Sequence, residues 1–405
     1  MSRAAARLGA IGRLVALAAV PLAAPPLAVV PRATVPSATA PLPAPSPTVE
    51  ILVLTRFHPR TAVLEGPRTL RLAADGDRLR ADGGTAPVPL VLERAHWTIT
   101  LADGTARSYD AALRATADGG ELRLVAALET EDYVARAVAA ETLPGTPPAA
   151  LEAQAIVARS FALAPGPRHR EAALCDLAHC QALTPVADAS HAEAARRAER
   201  ATRGQVLRLS SREPARAVFH ACCGGSTAEP QSVFGGAEQT GARAAADPDC
   251  STEAWSVQLA VAEVEAAAGA VLGAGSPVPV GRLTLQHDPD GRVRRLADAA
   301  SGRWAAGDAF ARALDRARDW SVVKSARFDW RVSGAAVRID GRGHGHGVGL
   351  CQRGAARRAL RGATASPILA HYFAASVTPA TSPASRTPAP AGSAAPPRSA
   401  PSPTA

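Results

Sequence analysis

The stretch LETEDYVARAVAAETLPGTPPAALEAQAIVARSFAL, residues 128–163, predicts two consecutive helices in a chain whose preceding part has the pattern of strands. We expect the first helix over Glu131–Ala140 and the second over Pro147–Leu163. Proline suits the start of the second helix, because the amide hydrogen that proline lacks would have no partner in the first helical turn. In the second helix Leu151 and Ala155 begin a row of apolar residues at helical spacing. The small side chains of this row permit close packing.

Strands surround this helix pair on both sides. Residues 49–128 form short apolar runs separated by Gly and Asp turns, which predicts a β-rich opening segment. A third helix is expected over Ser190–Thr202, followed by a hairpin of QVLRL and ARAVF about Ser210–Pro214. Residues 251–340 mix strand-like runs with one helix near Asp308–Ala317. The predicted class is α+β, with mostly antiparallel sheets and a few helices.

Both ends of the chain have compositions that differ from the rest. Residues 1–35 combine early arginines, an apolar stretch and a small-residue region, which is typical of a signal peptide. Prolines interrupt that apolar stretch, so we expect no transmembrane anchor after cleavage. Residues 36–48 read as a Pro-rich linker and residues 378–405 as a disordered tail rich in Pro, Ala and Ser. The expected location is the periplasm, the cell envelope or the extracellular space.

The charge balance favours an anionic partner. The chain of 405 residues has 45 Lys and Arg against 36 Asp and Glu, a net charge of +9. Cell-wall polymer or a membrane surface suits this sign. No basic run with interleaved aromatic residues is present, so nucleic acid is not an expected partner.

Glu141 is the first candidate for chemistry. It follows the apolar run VARAVAA and precedes a Pro-Gly turn. A carboxyl at such a helix end is poorly solvated, which raises its pKa and keeps the proton that a general acid needs. The alternative is an ordinary surface glutamate at a helix terminus. Gln154 and Arg159 on the next helix are similarly open to either interpretation.

The segment HREAALCDLAHCQ contains a second set of candidates: His169, Cys175, His179 and Cys180. Thiolates and neutral imidazoles are ligands that zinc prefers in tetrahedral sites. The spacing matches no standard zinc finger, and a disulfide between the two cysteines explains the thiols equally well in an exported protein. Both interpretations remain open from the residues alone.

Two glycine-rich stretches form the third set, FHACCGGST (219–227) and GRGHGHGVGLCQRGA (341–355). If the second stretch is extended, His344 and His346 face the same side, and the alternating glycines let another backbone or a sugar ring approach closely. A tight structural bend is the alternative. The stretch lacks the strand-turn-helix context and the lysine of a nucleotide-binding loop.

Taken together and in order, these segments resemble the SpoIID/LytB family, that is, the stage II sporulation protein D domain and the related amidase enhancer proteins. The resemblance runs over roughly residues 50–375 and implies two lobes flanking a glycan cleft. It places a catalytic core with a candidate zinc site at 129–250 and a second β-rich lobe with the GHGHGVG motif at 251–377.

The resemblance implies a lytic transglycosylase that acts on peptidoglycan glycan strands, including strands stripped of stem peptides. The family's catalytic glutamate matches Glu141. It would protonate the glycosidic oxygen, and the substrate's own 6-hydroxyl would then close an anhydro ring, so a second carboxylate is not required as in two-carboxylate hydrolysis.

The resemblance also assigns the other residues. It makes His169, Cys175 and Cys180 the zinc ligands, with His179 as a substitute, and the ion would be structural or substrate-orienting. Residues of the saccharide cleft would be Gln154, Arg159, His220, Gly224, Gly225, Thr227, His346 and Gln352. Cysteines 222, 223, 250 and 351 resemble disulfide partners, with Cys250 paired to Cys222 or Cys223.

Two other functions compete with this one. A non-catalytic peptidoglycan-binding protein that enhances a cell-wall amidase would bind glycan without creating new ends. A zinc amidase that uses the His and Cys ligands is the third interpretation. Any role in sporulation does not follow from the sequence.

Overall fold

A computed structural model describes residues 47–166, 168–209, 213–236, 239–250, 253–316 and 322–380 of the chain. The predicted signal peptide, the linker up to residue 46 and the tail beyond residue 380 lie outside these residues. Among the described residues, no helix combines the length and the apolar character that a membrane crossing requires.

A nine-stranded sheet is formed by the N-terminal part of the chain. Its strands are β1 Thr48–Val53, β2 Thr61–Glu65, β3 Leu70–Asp75, β4 Arg78–Ala81, β5 Gly84–Thr85, β6 Leu90–Leu101, β7 Ala106–Asp118, β8 Glu121–Glu129 and β9 Leu174–Cys175. They lie in the order β5-β4-β3-β2-β6-β7-β8-β1-β9, antiparallel except for the pair β1 and β9. Every second residue of β7 is buried from Tyr109 onward, as expected for a strand with one face on a core.

Eight helices are present among the described residues. They are α1 Thr130–Glu141, α2 Pro148–Leu163, α3 Ala189–Ala201, α4 Pro230–Phe234, α5 Val261–Leu272, α6 Gly307–Arg316, α7 Gln352–Leu360 and α8 Ala365–Tyr372. Pro148 occupies the first turn of α2, as predicted. The side chain of Asp188 caps α3 by accepting the N–H groups of Ser190 and His191.

The remaining strands form four small sheets. They are β10 Gln205–Arg208, β11 Phe219–His220, β12 Ala254–Ala260, β13 Leu283–His287, β14 Val293–Asp298, β15 Trp304–Ala306, β16 Phe328–Ser333, β17 Ala336–Arg342, β18 Leu350–Cys351 and β19 Ser376–Pro379. The sheets are β10-β19, β11-β18, β12-β17-β16 and β13-β14-β15, and only β11-β18 is parallel. The α+β class with mostly antiparallel sheets is confirmed, whereas the cleft between two lobes stays a prediction.

Helix α2 is buried on two faces and therefore joins two cores. Its Leu151 and Ala155 pack with α1 and the nine-stranded sheet. Its Ile156 and Val157 pack with residues of β10, β18 and α8. A helix that is apolar around most of its circumference is stable only inside the protein. Because α2 lies between these two cores, elements from the C-terminal part of the chain come to lie against the end of α1.

Among the described residues, the predicted hairpin of residues 205–219 is present only as a single antiparallel bridge, between Arg208 and Pro214. Strand β10 pairs instead with β19, from Gln205 opposite Pro379 to Arg208 opposite Ser376, and Phe219 belongs to β11, which pairs with β18. Sequence proximity favoured the local partner, but the ladder is completed by residues far along the chain. Thr378 and Pro379, assigned to the tail, are therefore strand residues.

The region 251–340 has one helix more than the sequence predicted. The run Val261–Leu272 is helical, with the side chain of Glu263 accepting the N–H of Ala260 at its start. Its continuous apolar and alanine content suits a strand or a buried helix equally well, which is why the pattern did not separate the two. The other predicted helix is present as Gly307–Arg316.

The glycine-rich stretch after β17 is not an extended strand. Gly343, Gly345, Gly347 and Gly349 all have positive φ, between 75° and 97°, so every second residue is left-handed. At Gly349 a Cβ atom would lie 2.1 Å from the Val218 carbonyl oxygen. These glycines therefore let two segments of this chain pack closely.

Candidate functional site

Glu141 is the last residue of α1 and is half-buried. Its Oε1 accepts a hydrogen bond of 2.5 Å from the backbone N–H of Ala182. Burial raises the pKa of the Glu141 carboxyl above its ordinary value, and the N–H of Ala182 offsets part of that rise. The carboxyl therefore holds its proton to a higher pH than an exposed glutamate does.

Two side chains hold the C-terminal end of α1, where backbone carbonyls lack helical partners. His191 Nε2 lies 2.9 Å from the carbonyl oxygen of Thr142 and 3.2 Å from that of Ala139. Gln352 Nε2 donates to the carbonyl oxygen of Glu141 at 2.8 Å. Because carbonyl oxygens only accept, His191 carries its hydrogen on Nε2. The backbone of Glu141 is thus fixed from α3 and from α7.

Gln154 joins the same group from α2. Its Oε1 lies 3.4 Å from Gln352 Nε2. Its side chain is 1% exposed, and its Nε2 has no hydrogen-bond partner. The structure thus brings together three of the predicted site residues, Glu141, Gln154 and Gln352.

The predicted metal ligands also come together. One ligand atom each from His169, Cys175, His179 and Cys180 lies within 4.8 Å of the other three. His169 Nε2 is 3.2 Å from Cys180 Sγ, and His179 Nε2 is 3.2 Å from Cys175 Sγ. The two cysteines are not bonded to each other. Two sulfur and two imidazole nitrogen donors at these separations fit tetrahedral zinc, whose ligand atoms lie roughly 3.5 Å apart.

This His/Cys cluster is connected to α1 by the two residues that follow Cys180. Tyr133 on α1 donates its hydroxyl hydrogen to Gln181 Oε1 at 2.6 Å. The next residue, Ala182, donates the hydrogen bond to Glu141. The cluster and the Glu141 carboxyl are therefore parts of one connected arrangement.

Arg159 does not lie where a saccharide could reach it. Its side chain is fully buried, and its Nε and Nη2 donate to the Glu131 carboxylate at 2.6–3.1 Å. Glu131 also accepts the N–H of Gly204. These interactions of Arg159 and Glu131 stabilise the core between α1, α2 and α3. The expected contact of Arg159 with substrate is therefore corrected, because Arg159 forms a structural ion pair instead.

His346 belongs to the glycine-rich stretch 341–355, and the ring of His220 lies beside that of His346. His220 is buried, its Nδ1 lies 3.0 Å from the Val348 carbonyl oxygen, and its ring is 5.6 Å from that of His346. Burial lowers the pKa of His220 well below its ordinary value. His346 also packs against Phe234. His220 was expected in the wall of an open saccharide cleft. The structure corrects this expectation, because His220 is a neutral residue of the protein interior.

Gly224, Gly225 and Thr227 pack against or hydrogen-bond with the backbone of other segments of this chain. Gly224 lies against the backbone of Arg342 and lines a cavity of about 860 Å³ whose lining residues do not include Glu141. The carbonyl of Gly225 accepts the N–H of Asp247. Thr227 is 1% exposed and donates its hydroxyl to a backbone carbonyl, so no open saccharide contact is present at this residue.

The comparisons with known proteins match the part of the chain that holds Glu141. Residues 118–209 match the family model of SpoIID, described as Stage II sporulation protein. This part of the chain is similar to the SpoIID family. A Stage II sporulation protein D from Bacillus amyloliquefaciens is 39% identical over 51 residues, which are 13% of this chain and 15% of that relative.

The SpoIID match includes α1, α2, the His/Cys cluster, α3 and β10. It does not reach His220, His346 or Gln352. The contact of Gln352 with the backbone of Glu141 therefore comes from outside the matched SpoIID stretch, through the packing of α7 against α2.

Sequence reasoning missed two contributors to the candidate site around Glu141. His191 is one histidine among ten in the chain, and only its position beside the end of α1 reveals its contact. Ala182 contributes a backbone N–H, for which an alanine gives no signal. Of the cysteines outside the cluster, Cys222 and Cys250 form a disulfide, which confirms one of the two expected pairings.

Proposed function

We propose that this protein is a peptidoglycan lytic transglycosylase of the cell envelope, with Glu141 as its acid and base. The observation that carries the proposal is a half-buried carboxyl with a raised pKa at the end of α1, held by the Ala182 amide inside the SpoIID match. A general acid needs a proton near neutral pH and a defined direction for it. Both needs are met by burial and by this hydrogen bond.

In the reaction Glu141 donates its proton to the glycosidic oxygen as the bond from that oxygen to the anomeric carbon breaks. The resulting carboxylate accepts the proton of the sugar's own primary hydroxyl, whose oxygen bonds to the same carbon. The product is an anhydro-muramyl end, no water is consumed and Glu141 regains its proton. The Ala182 N–H stabilises the carboxylate during the intermediate stage.

The surroundings of Glu141 suit a glycan strand. Leu143, two residues beyond the acid, is 72% exposed and offers an apolar surface to a sugar ring. Gln352 is partly exposed and already oriented by its bond to the Glu141 backbone. Gln154 is itself buried and supports Gln352 from behind, with its Oε1 3.4 Å from Gln352 Nε2. We assign Leu143 and Gln352 to substrate positioning.

The test is product analysis. Purified protein is incubated with peptide-stripped glycan strands and with intact sacculi, and the ends are identified by mass spectrometry. The expected result is new anhydro-muramyl ends. Reducing ends formed by hydrolysis, or binding without new ends together with stimulation of a cell-wall amidase, would overturn the proposal.

The pH dependence of the reaction should follow Glu141. Because the acid form is required at the start of the reaction, kcat/KM should fall as pH rises through the pKa of this carboxyl. Burial raises that pKa, so the decline should begin above 4.5, the ordinary value of a glutamate. The measurement is kcat/KM against pH at constant ionic strength. A decline centred at 4.5 or lower would contradict the assignment.

We further propose that His169, Cys175, His179 and Cys180 hold a structural Zn²⁺. Their donor atoms fit the ion, and when bound it would cross-link β9 to the segment that ends at Ala182. The chemistry at Glu141 needs no metal. The bound ion would hold the Ala182 amide in place.

Cys180→Ser should therefore lower the zinc content by one ion per chain and reduce kcat by at least about 10–100-fold, the loss that substitution of even an outer-shell residue of a metal site commonly causes. Zinc is measured by mass spectrometry of the metal, and kcat by product formation. His58→Ala, which removes an exposed imidazole outside the cluster, should change neither quantity. Unchanged zinc in Cys180→Ser would contradict the ligand assignment.

A further inference from the structure

A second group of metal-binding residue types lies outside the His/Cys cluster. His220, Cys223 and Cys351 are all buried, and one ligand atom from each lies within 4.8 Å of the other two. His220 and Cys351 are opposite each other in the parallel pair β11 and β18. Cys223 follows β11 at the turn before Gly224. Distant segments of the chain thus converge on one point.

The orientation of His220 leaves a lone pair aimed into the interior. Its Nδ1 lies 3.0 Å from the Val348 carbonyl oxygen, which only accepts, so Nδ1 carries the hydrogen. Nε2 is then an acceptor, and it is buried without a hydrogen-bond partner. Histidines that bind metals commonly donate the other ring N–H to a backbone carbonyl in this way. An unpaired buried nitrogen otherwise costs free energy.

The two sulfur atoms are available as ligands. Cys223 and Cys351 are both free, whereas the neighbouring Cys222 is bonded to Cys250. Cys351 Sγ accepts the N–H groups of Cys223 and Gly354 at 3.4 and 3.3 Å. These two N–H groups fix the position of the sulfur atom.

We propose that His220, Cys223 and Cys351 bind a second Zn²⁺, independent of the His169 cluster. Two thiolates and a divalent cation sum to zero charge, which suits an interior that disfavours any bare charge. Asp247 lies beside this group. It is fully buried, its Oδ2 lies 3.6 Å from Cys223 Sγ and accepts the Tyr372 hydroxyl at 2.8 Å, and its Oδ1 makes no hydrogen bond beyond a 3.6 Å ion pair with Arg358.

The bound ion would fasten β11 to β18 at the start of α7. Gln352, next to Cys351, then starts α7 from a fixed point. The inference does not depend on the transglycosylase activity, because none of the three proposed ligands takes part in the chemistry at Glu141.

The first test is metal content. The full chain is purified under nitrogen, loaded with Zn²⁺, dialysed and analysed for zinc by mass spectrometry of the metal. Cys351→Ser should contain one ion per chain less than wild type, whereas His344→Ala, an exposed imidazole in the same glycine-rich stretch, should lose none. Equal zinc in Cys351→Ser and wild type would overturn the proposal.

A second measurement covers the case in which Cys351→Ser fails to fold. A Cys175→Ser/Cys180→Ser variant lacks the thiols of the first cluster but retains the second site. Loaded with Co²⁺, it should bind one ion per chain and absorb through thiolate-to-cobalt charge transfer. Absence of that absorption, or a Cys223 to Cys351 disulfide in a non-reduced peptide map of the native protein, would reject the second site.

Discussion

Glu141→Gln is expected to lower the rate of glycan cleavage by about 10²–10⁴-fold, the range that a general acid or base contributes. The amide has the shape of the carboxyl and can still accept the Ala182 N–H, but it can neither give up nor regain the proton that the reaction needs. The measurement is the initial rate of anhydro-muramyl end formation at saturating and at low substrate. We expect the loss in kcat, with KM much less affected.

The same variant should be more stable than wild type at neutral pH. Glutamine carries no charge, so it resembles the protonated carboxyl that burial favours. Because the pKa of Glu141 is raised in the folded protein, its ionisation costs stability as pH rises from 4.5 through that raised pKa. The stability difference should appear over that interval and vanish below it.

Glu65→Gln is the matched control, since Glu65 is an exposed residue on β2. It should leave the rate of end formation unchanged. A Glu141→Gln enzyme that forms ends as fast as wild type would contradict the role of Glu141, whatever its stability.

Arg159→Ala is expected to destabilise the protein by about 3–5 kcal/mol, the typical cost of removing one partner of a buried ion pair. The Glu131 carboxylate would stay buried and lose its bidentate partner, and the backbone carbonyl of Gln205 would lose a donor. Unfolding in urea, followed by circular dichroism, measures the change. Activity per folded molecule should change little by comparison.

Arg94→Ala provides the comparison. Arg94 also pairs with a glutamate, Glu129, but the two side chains are 44% and 47% exposed. An exposed pair contributes about 0–1 kcal/mol. Equal destabilisation by the two substitutions would contradict the structural role assigned to Arg159. Glu131→Gln/Arg159→Met, which removes both charges, should recover part of the loss.

Local sequence signals predicted the helices well where caps and apolar period agreed. The second helix was expected over Pro147–Leu163 and runs over Pro148–Leu163, because proline at its start and a continuous apolar row both favour helix. The alanine-rich run Val261–Leu272 was missed for the opposite reason, since its apolar residues show no clear period.

Strand partners were harder to predict than strands. The residues of β10 were recognised as a strand, but the partner was taken as the nearest run in sequence. The actual partner, β19, lies more than a hundred residues away. A period of two residues identifies a strand and its buried face, and it contains no information about a distant partner.

The same distinction divides the candidate site. Residue types and their order in the chain determined the helix that ends at Glu141, the His and Cys donors near residue 175, and the α+β class, because these depend on local pattern and on side-chain chemistry. Tertiary structure alone decided that Arg159 is an interior partner of Glu131 and that His220 faces two thiols. It also placed His191, Ala182 and Gln352 at the end of α1. The physical reason is that burial and hydrogen-bond partners are set by packing between segments far apart in sequence, which no local pattern records.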